Sequence, residues 1–480
     1  MSVPALLLPL LILLPAPADL PRSSIATKEF DKFAKDVAAY FAALDPDKDD
    51  RKAQAESLAK IKDAYDKLAK RAKLDEPLKY VGDWDQILER GKTENRELRQ
   101  AAGKGFVRYV ADWDGVRVAC MVSVPSAYGK GDALCPAILA LKPTLGMSGD
   151  VLEKEVAAQA SKTYAGLLDS TIIIVPLGPE KTVDRKAQSH EIEGSWMTEE
   201  GMTSLFFGVR VLLYDLRFDR AHLIIDGWKD SGLDAVMAAS SFPSWFAGIV
   251  NRSGEIGGDD VLYQNLGGTP VLYVDGGSDA RGADIEALKK RCEGITEVTV
   301  IADSQSALDL TDEARAKVTE WINARHCDLA PVKVDYMLGD RRFQSVAWLK
   351  AATINLRATA KPGDKDFPHI TAEIDKETNT IRISTVNVTE MFVYLNDAML
   401  DLGKPVNIEV NGLKWAPRTV KRDLRYMFEN RFFNISGDYG VYTADMHLED
   451  IPANVPKGDS PPAGESPPAG ESPPAGGGGG

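Results

Sequence analysis

Residue types suited to metal or nucleotide binding are scarce in this sequence. It contains only four cysteines and five histidines among 480 residues. It has no CxxC pair, no HExxH motif and no phosphate-binding loop of the Walker type, so we expect neither a metal nor a cofactor. The cysteines leave two alternatives open, disulfides formed after export or buried free thiols. They are Cys120, Cys135, Cys292 and Cys327.

Positive charge is also in short supply. The chain has 57 Lys and Arg residues against 71 Asp and Glu residues, which gives a formal net charge of -14. Such a charge repels nucleic-acid phosphates and anionic membrane surfaces, so a nucleic-acid partner is not expected. With 44% hydrophobic residues the chain can bury a large core, and its length predicts two or three domains.

The only long apolar run lies at the amino terminus. It covers residues 5–14 and is followed by Ala16-Pro17-Ala18 ahead of Asp19. The run is shorter than the roughly 20 residues that cross a membrane, and the small residues after it are typical of a signal-peptide cleavage site. Residues 1–18 are therefore predicted to direct export, to the periplasm or beyond the cell, with cleavage near Ala18. An uncleaved membrane anchor is the alternative, and we expect no other membrane segment.

Composition divides the rest of the chain into four parts. Residues 19–104 have helical apolar spacing, with a break near Pro46 and a third helical stretch at about 84–102. Residues 105–328 begin with a hairpin and continue with apolar runs alternating with helical patterns, which predicts a mostly parallel sheet flanked by helices. Residues 329–452 predict a small β-rich module with one helix. Residues 453–480 repeat SPPAGE and end in glycines, so we expect a disordered tail.

A strand–turn–helix pattern with small residues lies in the middle of the chain. The apolar run at 222–226 leads into GWKDSG, residues 227–232, and then into a helical pattern. Shortly after comes FPSWFAG, residues 242–248. Over about residues 105–326 this combination resembles the α/β-hydrolase superfamily, in particular exported bacterial esterases and prolyl-oligopeptidase-type peptidases. The resemblance implies an α/β-hydrolase-like fold.

The resemblance also implies a catalytic triad, from which this sequence departs. The nucleophilic serine belongs at the apex of the turn, where Lys229 is found, and the histidine belongs near Ser306. Only the acid position is kept, by Asp279. KPTLG, residues 142–146, replaces the glycine-rich oxyanion loop. A lysine is mostly protonated near neutral pH and a poor nucleophile. We therefore predict a degenerate, non-catalytic member that binds an unidentified small molecule or protein in the inherited cleft.

An alternative interpretation keeps the catalysis. In it Ser231 is a displaced nucleophile that works with Asp279 and His326 in an ester or peptide hydrolase. The competing structural interpretation makes Ser231 the N-cap of the following helix and His326 a polar residue at a helix end. His190 lies in a loop where such proteins often build a substrate pocket. The resemblance also places Cys292 and Cys327 on neighbouring helices, which bears on the disulfide alternative.

Overall fold

The computed structural model of the protein describes residues 20–452, except for short segments at 45–49, 93, 114–115, 131–133, 144–145, 184–185, 259–260, 278–281, 341, 357–360 and 434–439. The predicted signal peptide, the predicted tail and Asp279 lie outside the described residues. Among the described residues, no helix combines the length and apolarity needed to cross a bilayer.

The amino-terminal segment is helical, as predicted. Its elements are a 3-10 helix (Thr27–Phe33), α1 (Ala34–Ala43), α2 (Arg51–Arg71), a 3-10 turn (Pro77–Lys79), α3 (Val81–Arg90) and α4 (Arg96–Gln100). The single third helix expected over 84–102 is wrong, because Asn95 interrupts it. The Asn95 side chain accepts hydrogen bonds from the backbone N–H groups of Glu97 and Leu98 and so caps the start of a separate helix.

The central part of the chain forms a nine-stranded, mostly parallel sheet. Eight strands lie in the order β1 (Phe106–Trp113), β2 (Val116–Ser123), β4 (Ile172–Val183), β3 (Ala137–Leu141), β6 (Leu223–Trp228), β7 (Gly248–Arg252), β8 (Val271–Gly276) and β9 (Val298–Asp303). β5 (Lys186–Ser189) pairs with the end of β4. β1, β2 and β4 pair antiparallel, whereas β4, β3 and β6 through β9 form parallel pairs.

Helices cover both faces of this sheet. They are α5 (Gly149–Thr163), α6 (Glu199–Arg210) with a following π-helical turn (Val211–Asp215), α7 (Ser231–Ser241), α8 (Gly282–Cys292) and α9 (Asp312–Asn323). Successive strand residues are buried in two separate apolar clusters, one on each face of the sheet. Leu139 and Ile225 belong to one cluster, and Ile138 and Ile224 belong to the other. Strands covered on both faces need no polar side, which is why they occur as continuous apolar runs. The predicted mostly parallel sheet flanked by helices is confirmed.

Where it is described, the carboxy-terminal module contains two sheets and one helix. Five strands form one sheet: β10 (Lys333–Met337), β13 (His369–Asp375), β14 (Thr380–Val386), β16 (Val406–Val410) and β17 (Leu413–Arg418). The other has β11 (Ser345–Val346), β12 (Leu349–Ile354), β15 (Val388–Leu395) and β18 (Ala444–Leu448), and α10 is Leu424–Phe433. Ile381 of one sheet and Met391 of the other are buried in a single apolar cluster. The predicted β-rich region is confirmed.

The amino-terminal helices share that cluster with the carboxy-terminal module. Tyr40 and Trp84 contact Phe428 of α10, with ring centroids 5.2 and 6.4 Å apart. The two ends of the described chain therefore pack into one core beside the central sheet.

A buried carboxylate joins all three parts of the chain. Glu89 of α3 pairs with Lys92, with the Nε of Arg220 in the central part at 3.3 Å, and with the Nη2 of Arg431 in α10 at 3.1 Å. Only 1% of the Glu89 side chain is exposed.

All four cysteines are free thiols and buried. Burial raises the pKa of the Cys292 thiol to about 11, which keeps it protonated at neutral pH. The disulfide alternative, including a bridge from Cys292 to Cys327, is therefore wrong.

Candidate functional site at the turn after strand β6

Lys229 lies at the apex of a sharp turn between β6 and α7. Its φ is 50°, a left-handed conformation that a residue with a side chain adopts only when its surroundings hold it there. The N–H of Lys229 donates to the carbonyl of Arg252 at 2.9 Å, and its own carbonyl accepts from the N–H of Gly232 at 2.8 Å. The sharp turn expected here is present, and its apex residue is exposed.

Crowding explains the small residues around this turn. A Cβ added at Gly227 would lie 2.3 Å from the carbonyl oxygen of Ser231, and one at Gly254 would lie 2.2 Å from that of Lys229. At Gly232 the added atom would lie 2.4 Å from Oδ1 of Asn251. A side chain at any of the three glycines would force the turn apart. Gly254 lies outside the GWKDSG pattern, so the sequence did not reveal its role.

The Ser231 side chain is buried and hydrogen-bonded inside the protein. Its hydroxyl donates to the carbonyl of Lys142 at 2.8 Å and accepts from the indole N–H of Trp196 at 3.2 Å. The residue is 4% exposed. Asp230 is the N-cap of α7, with no side-chain capping bond, so the expectation that Ser231 caps the helix is wrong.

A buried ion pair lies where the resemblance places the oxyanion loop. The ammonium of Lys142 contacts Oε1 of Glu191, and the backbone N–H of Met147 donates to Oε2 of Glu191 at 3.1 Å. Burial lowers the pKa of Lys142, and the Glu191 carboxylate opposes that shift. An oxyanion site needs preorganised donors aimed at developing negative charge. A buried carboxylate has the opposite effect.

The predicted histidine position lies in a tightly packed loop after β9. A Cβ added at Gly276 would lie 2.2 Å from the backbone nitrogen of Ala307, so the loop sits directly against the end of β8. Arg252 donates from Nη1 to the carbonyl of Ala307 at 3.1 Å. Ser306 is half-buried, and its hydroxyl accepts weakly from the N–H of Leu308 at 3.4 Å. The loop DSQSA, residues 303–307, supplies no imidazole.

The structure does not bring Ser231 and His326 together. The His326 ring lies 4.7 Å from that of His222, centroid to centroid. His222 immediately precedes β6, and Ser231 follows its other end. A six-residue strand spans about 20 Å, so a pairing of Ser231 with His326 is geometrically excluded.

The other three histidines are divided between the central part and the carboxy-terminal module. His369 pairs with Asp335 at 2.5 Å, and His447 pairs with Glu390 at 2.7 Å, both in the module. His190 directly precedes Glu191 of the buried ion pair, and its Nε2 is buried without a hydrogen-bond partner.

An aromatic cavity of about 370 Å³ opens elsewhere, between α6, the end of α7 and residues 342–345. Phe206, Phe242, Trp245 and Phe343 supply its rings. The Phe242 ring lies 4.4 Å from that of Phe343 and 4.6 Å from that of Trp245. None of the cavity's lining residues belongs to the turn at 227–232.

No known family profile matches the chain, and no curated protein is significantly similar to it in sequence. Similar solved structures include a thermostable esterase, at 15% identity and a TM-score of 0.36, over 46% of this chain and 64% of that one. Est1E from Butyrivibrio proteoclasticus is 12% identical with a TM-score of 0.31. That match covers 45% of this chain and 95% of Est1E. An acylaminoacyl peptidase bound to a chloromethyl ketone is 11% identical with a TM-score of 0.32. That match covers 46% of this chain and 42% of the peptidase. This chain therefore covers less than two thirds of the length of the thermostable esterase and of the peptidase. At such low identities and TM-scores, the activities of these proteins cannot be transferred to this chain.

Proposed function

We propose that this protein is an exported, α/β-hydrolase-like protein with a degenerate triad, which binds a ligand without turning it over. The observation that carries the proposal is Lys229 at the apex of the strained turn, where a hydrolase of this fold presents its nucleophile. Even a deprotonated lysine would form an amide with an acyl group. An amide hydrolyses far more slowly than an ester intermediate, so the reaction would stop after one turnover.

The surroundings of the turn support the same conclusion. The Ser231 hydroxyl donates its proton to a backbone carbonyl rather than to a base. The Glu191 carboxylate accepts the backbone N–H of Met147, next to the segment that replaces the oxyanion loop, and the loop at 303–307 contributes no histidine. Nucleophile, base and oxyanion donors act as a unit in acyl transfer, so the three departures compound one another.

The binding half of the proposal has support of its own in the aromatic cavity. Four rings around about 370 Å³ suit a flat, apolar ligand. Binding there would change tryptophan fluorescence, and Trp245→Phe would abolish that change. A ligand whose signal survives Trp245→Phe would instead bind outside this cavity.

Restoring a serine at the turn should not restore hydrolysis. We expect Lys229→Ser to raise the hydrolysis of short-chain esters by less than about tenfold over the wild type, because the sequence has neither a histidine in the loop at 303–307 nor a glycine-rich oxyanion loop. Lys229→Ala is the matched control and should behave identically. The assay is initial-rate hydrolysis of a chromogenic acetate or butyrate ester.

A gain of a hundredfold or more in Lys229→Ser, absent from Lys229→Ala, would contradict the proposal, since it would show a working base and oxyanion site. The rival, an active serine hydrolase with a displaced nucleophile, requires activity in the wild type. For that rival Ser231→Ala should remove the activity, and Lys229→Ala should not.

Export remains part of the proposal and rests on the apolar run at 5–14 and on Ala16-Pro17-Ala18. Protein recovered from outside the cytoplasm should begin at or within a few residues of Asp19. Recovery of the chain there with Met1 intact would reject cleavage.

A further inference from the structure

Three metal-ligating side chains converge at the end of β6 opposite to Lys229. They are Asp219, His222 and His326, and one ligand atom from each lies within 4.8 Å of the other two. The expectation of no metal rested on missing short motifs. This group escapes such a search because His326 lies about a hundred positions after the other two.

The backbone holds the three residues in place. The N–H of His222 donates to the carbonyl of Asp219 at 3.0 Å, which closes a tight turn and brings these two side chains together. The N–H of Cys327 donates to the carbonyl of Ala221 at 2.8 Å, which fixes the neighbouring His326 beside that turn. The N–H of Asp219 in turn donates to the carbonyl of Cys135 at 2.8 Å.

The hydrogen bonding of His222 leaves one ring nitrogen suited to a metal. Nε2 lies 2.9 Å from the carbonyl oxygen of Ile322, so it must carry the proton and donate. Nδ1 then keeps its lone pair. A metal-binding histidine usually has its other nitrogen bonded in this way to a carbonyl or carboxylate, which fixes tautomer and ring orientation.

The carboxy-terminal module contains a second group with a different arrangement, Glu390, His447 and Glu449. There each nitrogen of the His447 ring faces a carboxylate oxygen, Nε2 at 2.7 Å from Glu390 and Nδ1 at 3.1 Å from Glu449. Both nitrogens already face carboxylate partners, so this group provides a natural control.

We propose that Asp219, His222 and His326 bind one divalent transition-metal ion of the Zn²⁺ type, with water completing its coordination. Two imidazoles and one carboxylate suit Zn²⁺ and Co²⁺, whereas Ca²⁺ and Mg²⁺ prefer oxygen ligands alone. Tetrahedral Zn²⁺ needs ligand atoms about 3.3 Å apart. The exposed side chain of His326 can rotate to close the remaining distance, while buried His222 stays in place.

Calorimetric titration of Zn²⁺ into the metal-free full-length protein tests this site, and Co²⁺ absorption reports its ligands. We expect one ion per chain and visible Co²⁺ bands typical of nitrogen ligation. His326→Ala should weaken Zn²⁺ binding at least about tenfold, and Asp219→Asn should do so too. Removal of an exposed histidine does not threaten folding, which the melting temperature of His326→Ala without metal will confirm. His447→Ala should bind like the wild type.

Three results would overturn the proposal. They are no stoichiometric Zn²⁺ binding by the wild type, unchanged binding in both His326→Ala and Asp219→Asn, or a loss in His447→Ala as large as in His326→Ala. The readout is metal binding rather than hydrolysis, so its outcome is independent of the proposed function.

Discussion

Glu89→Gln should lower the free energy of unfolding by about 3–5 kcal/mol, the range seen when one partner of a buried ion pair is removed. The wild-type carboxylate faces Lys92, Arg220 and Arg431 and is almost fully buried. A neutral amide would no longer compensate these cations, although Asp85 would remain 3.3 Å from Arg431. Because the contacts come from all three parts of the chain, the loss should affect the whole fold.

The same carboxylate predicts a dependence on pH. Burial opposes the ionisation of Glu89, but the three cations overcome it and lower its pKa from 4.5 to about 2. A lowered carboxyl pKa stabilises the fold above the unfolded pKa, and this stability is lost as the pH falls towards the folded pKa. The full contribution is about 3 kcal/mol, of which roughly 2 kcal/mol is lost by pH 3.

Urea unfolding at pH 7 and at pH 3 measures both effects. The difference between wild type and Glu89→Gln should be large at pH 7 and smaller by about 2 kcal/mol at pH 3. Glu313→Gln, which removes one partner of an exposed pair with Lys317, should leave the midpoint unchanged. A stability difference at pH 7 below about 1 kcal/mol would contradict this account of the cluster.

Asp226→Asn should have the second large effect, again about 3–5 kcal/mol. Asp226 and Arg252 are buried beneath the turn, where Nε of Arg252 lies 3.0 Å from both carboxylate oxygens and Nη2 lies 2.9 Å from Oδ2. The Arg252 guanidinium also donates to the carbonyl of Ala307, and the backbone carbonyl of Arg252 accepts from the N–H of Lys229. Loss of the carboxylate would leave a guanidinium buried at the centre of the candidate site.

A double variant separates the effect of the unpaired charge from the effect of lost packing. Replacing both partners with apolar residues, Asp226→Leu with Arg252→Met, should destabilise the protein much less than Asp226→Asn alone, because no charge is left buried. Asp63→Asn, in an exposed pair with Lys67, is the matched surface control. If the double variant were the less stable of the two, packing rather than the unpaired charge would be responsible.

Much of the central fold could be predicted because its signals are local. Apolar runs alternate with helical patterns along the central part of the sequence, and the structure has parallel strands alternating with α5 to α9 there. The GWKDSG segment even indicated the strained turn, since Gly227 is required there by its contact with Ser231, only four positions away. Such features depend on spacing along the chain, which a single sequence displays directly.

What could not be predicted depends on contacts between distant residues. Nothing near Lys142 indicates that its ammonium pairs with Glu191, or that Ser231 bonds to its carbonyl. Serine is a residue type that often caps helices, yet the Ser231 hydroxyl donates a hydrogen bond to the buried carbonyl of Lys142, 89 positions away. The packing of the amino-terminal helices on α10 is equally non-local, because an amphipathic helix shows which face is buried but not its partner.

The most direct test of the central claim is treatment of the full-length wild-type protein with a fluorophosphonate serine probe, followed by intact mass and peptide mapping. The account predicts no added mass and ester hydrolysis no faster than in buffer, since Lys229 replaces the nucleophile and Ser231 is buried against Lys142. Stoichiometric labelling of Ser231, lost in Ser231→Ala together with ester hydrolysis, would show a working hydrolase and contradict it.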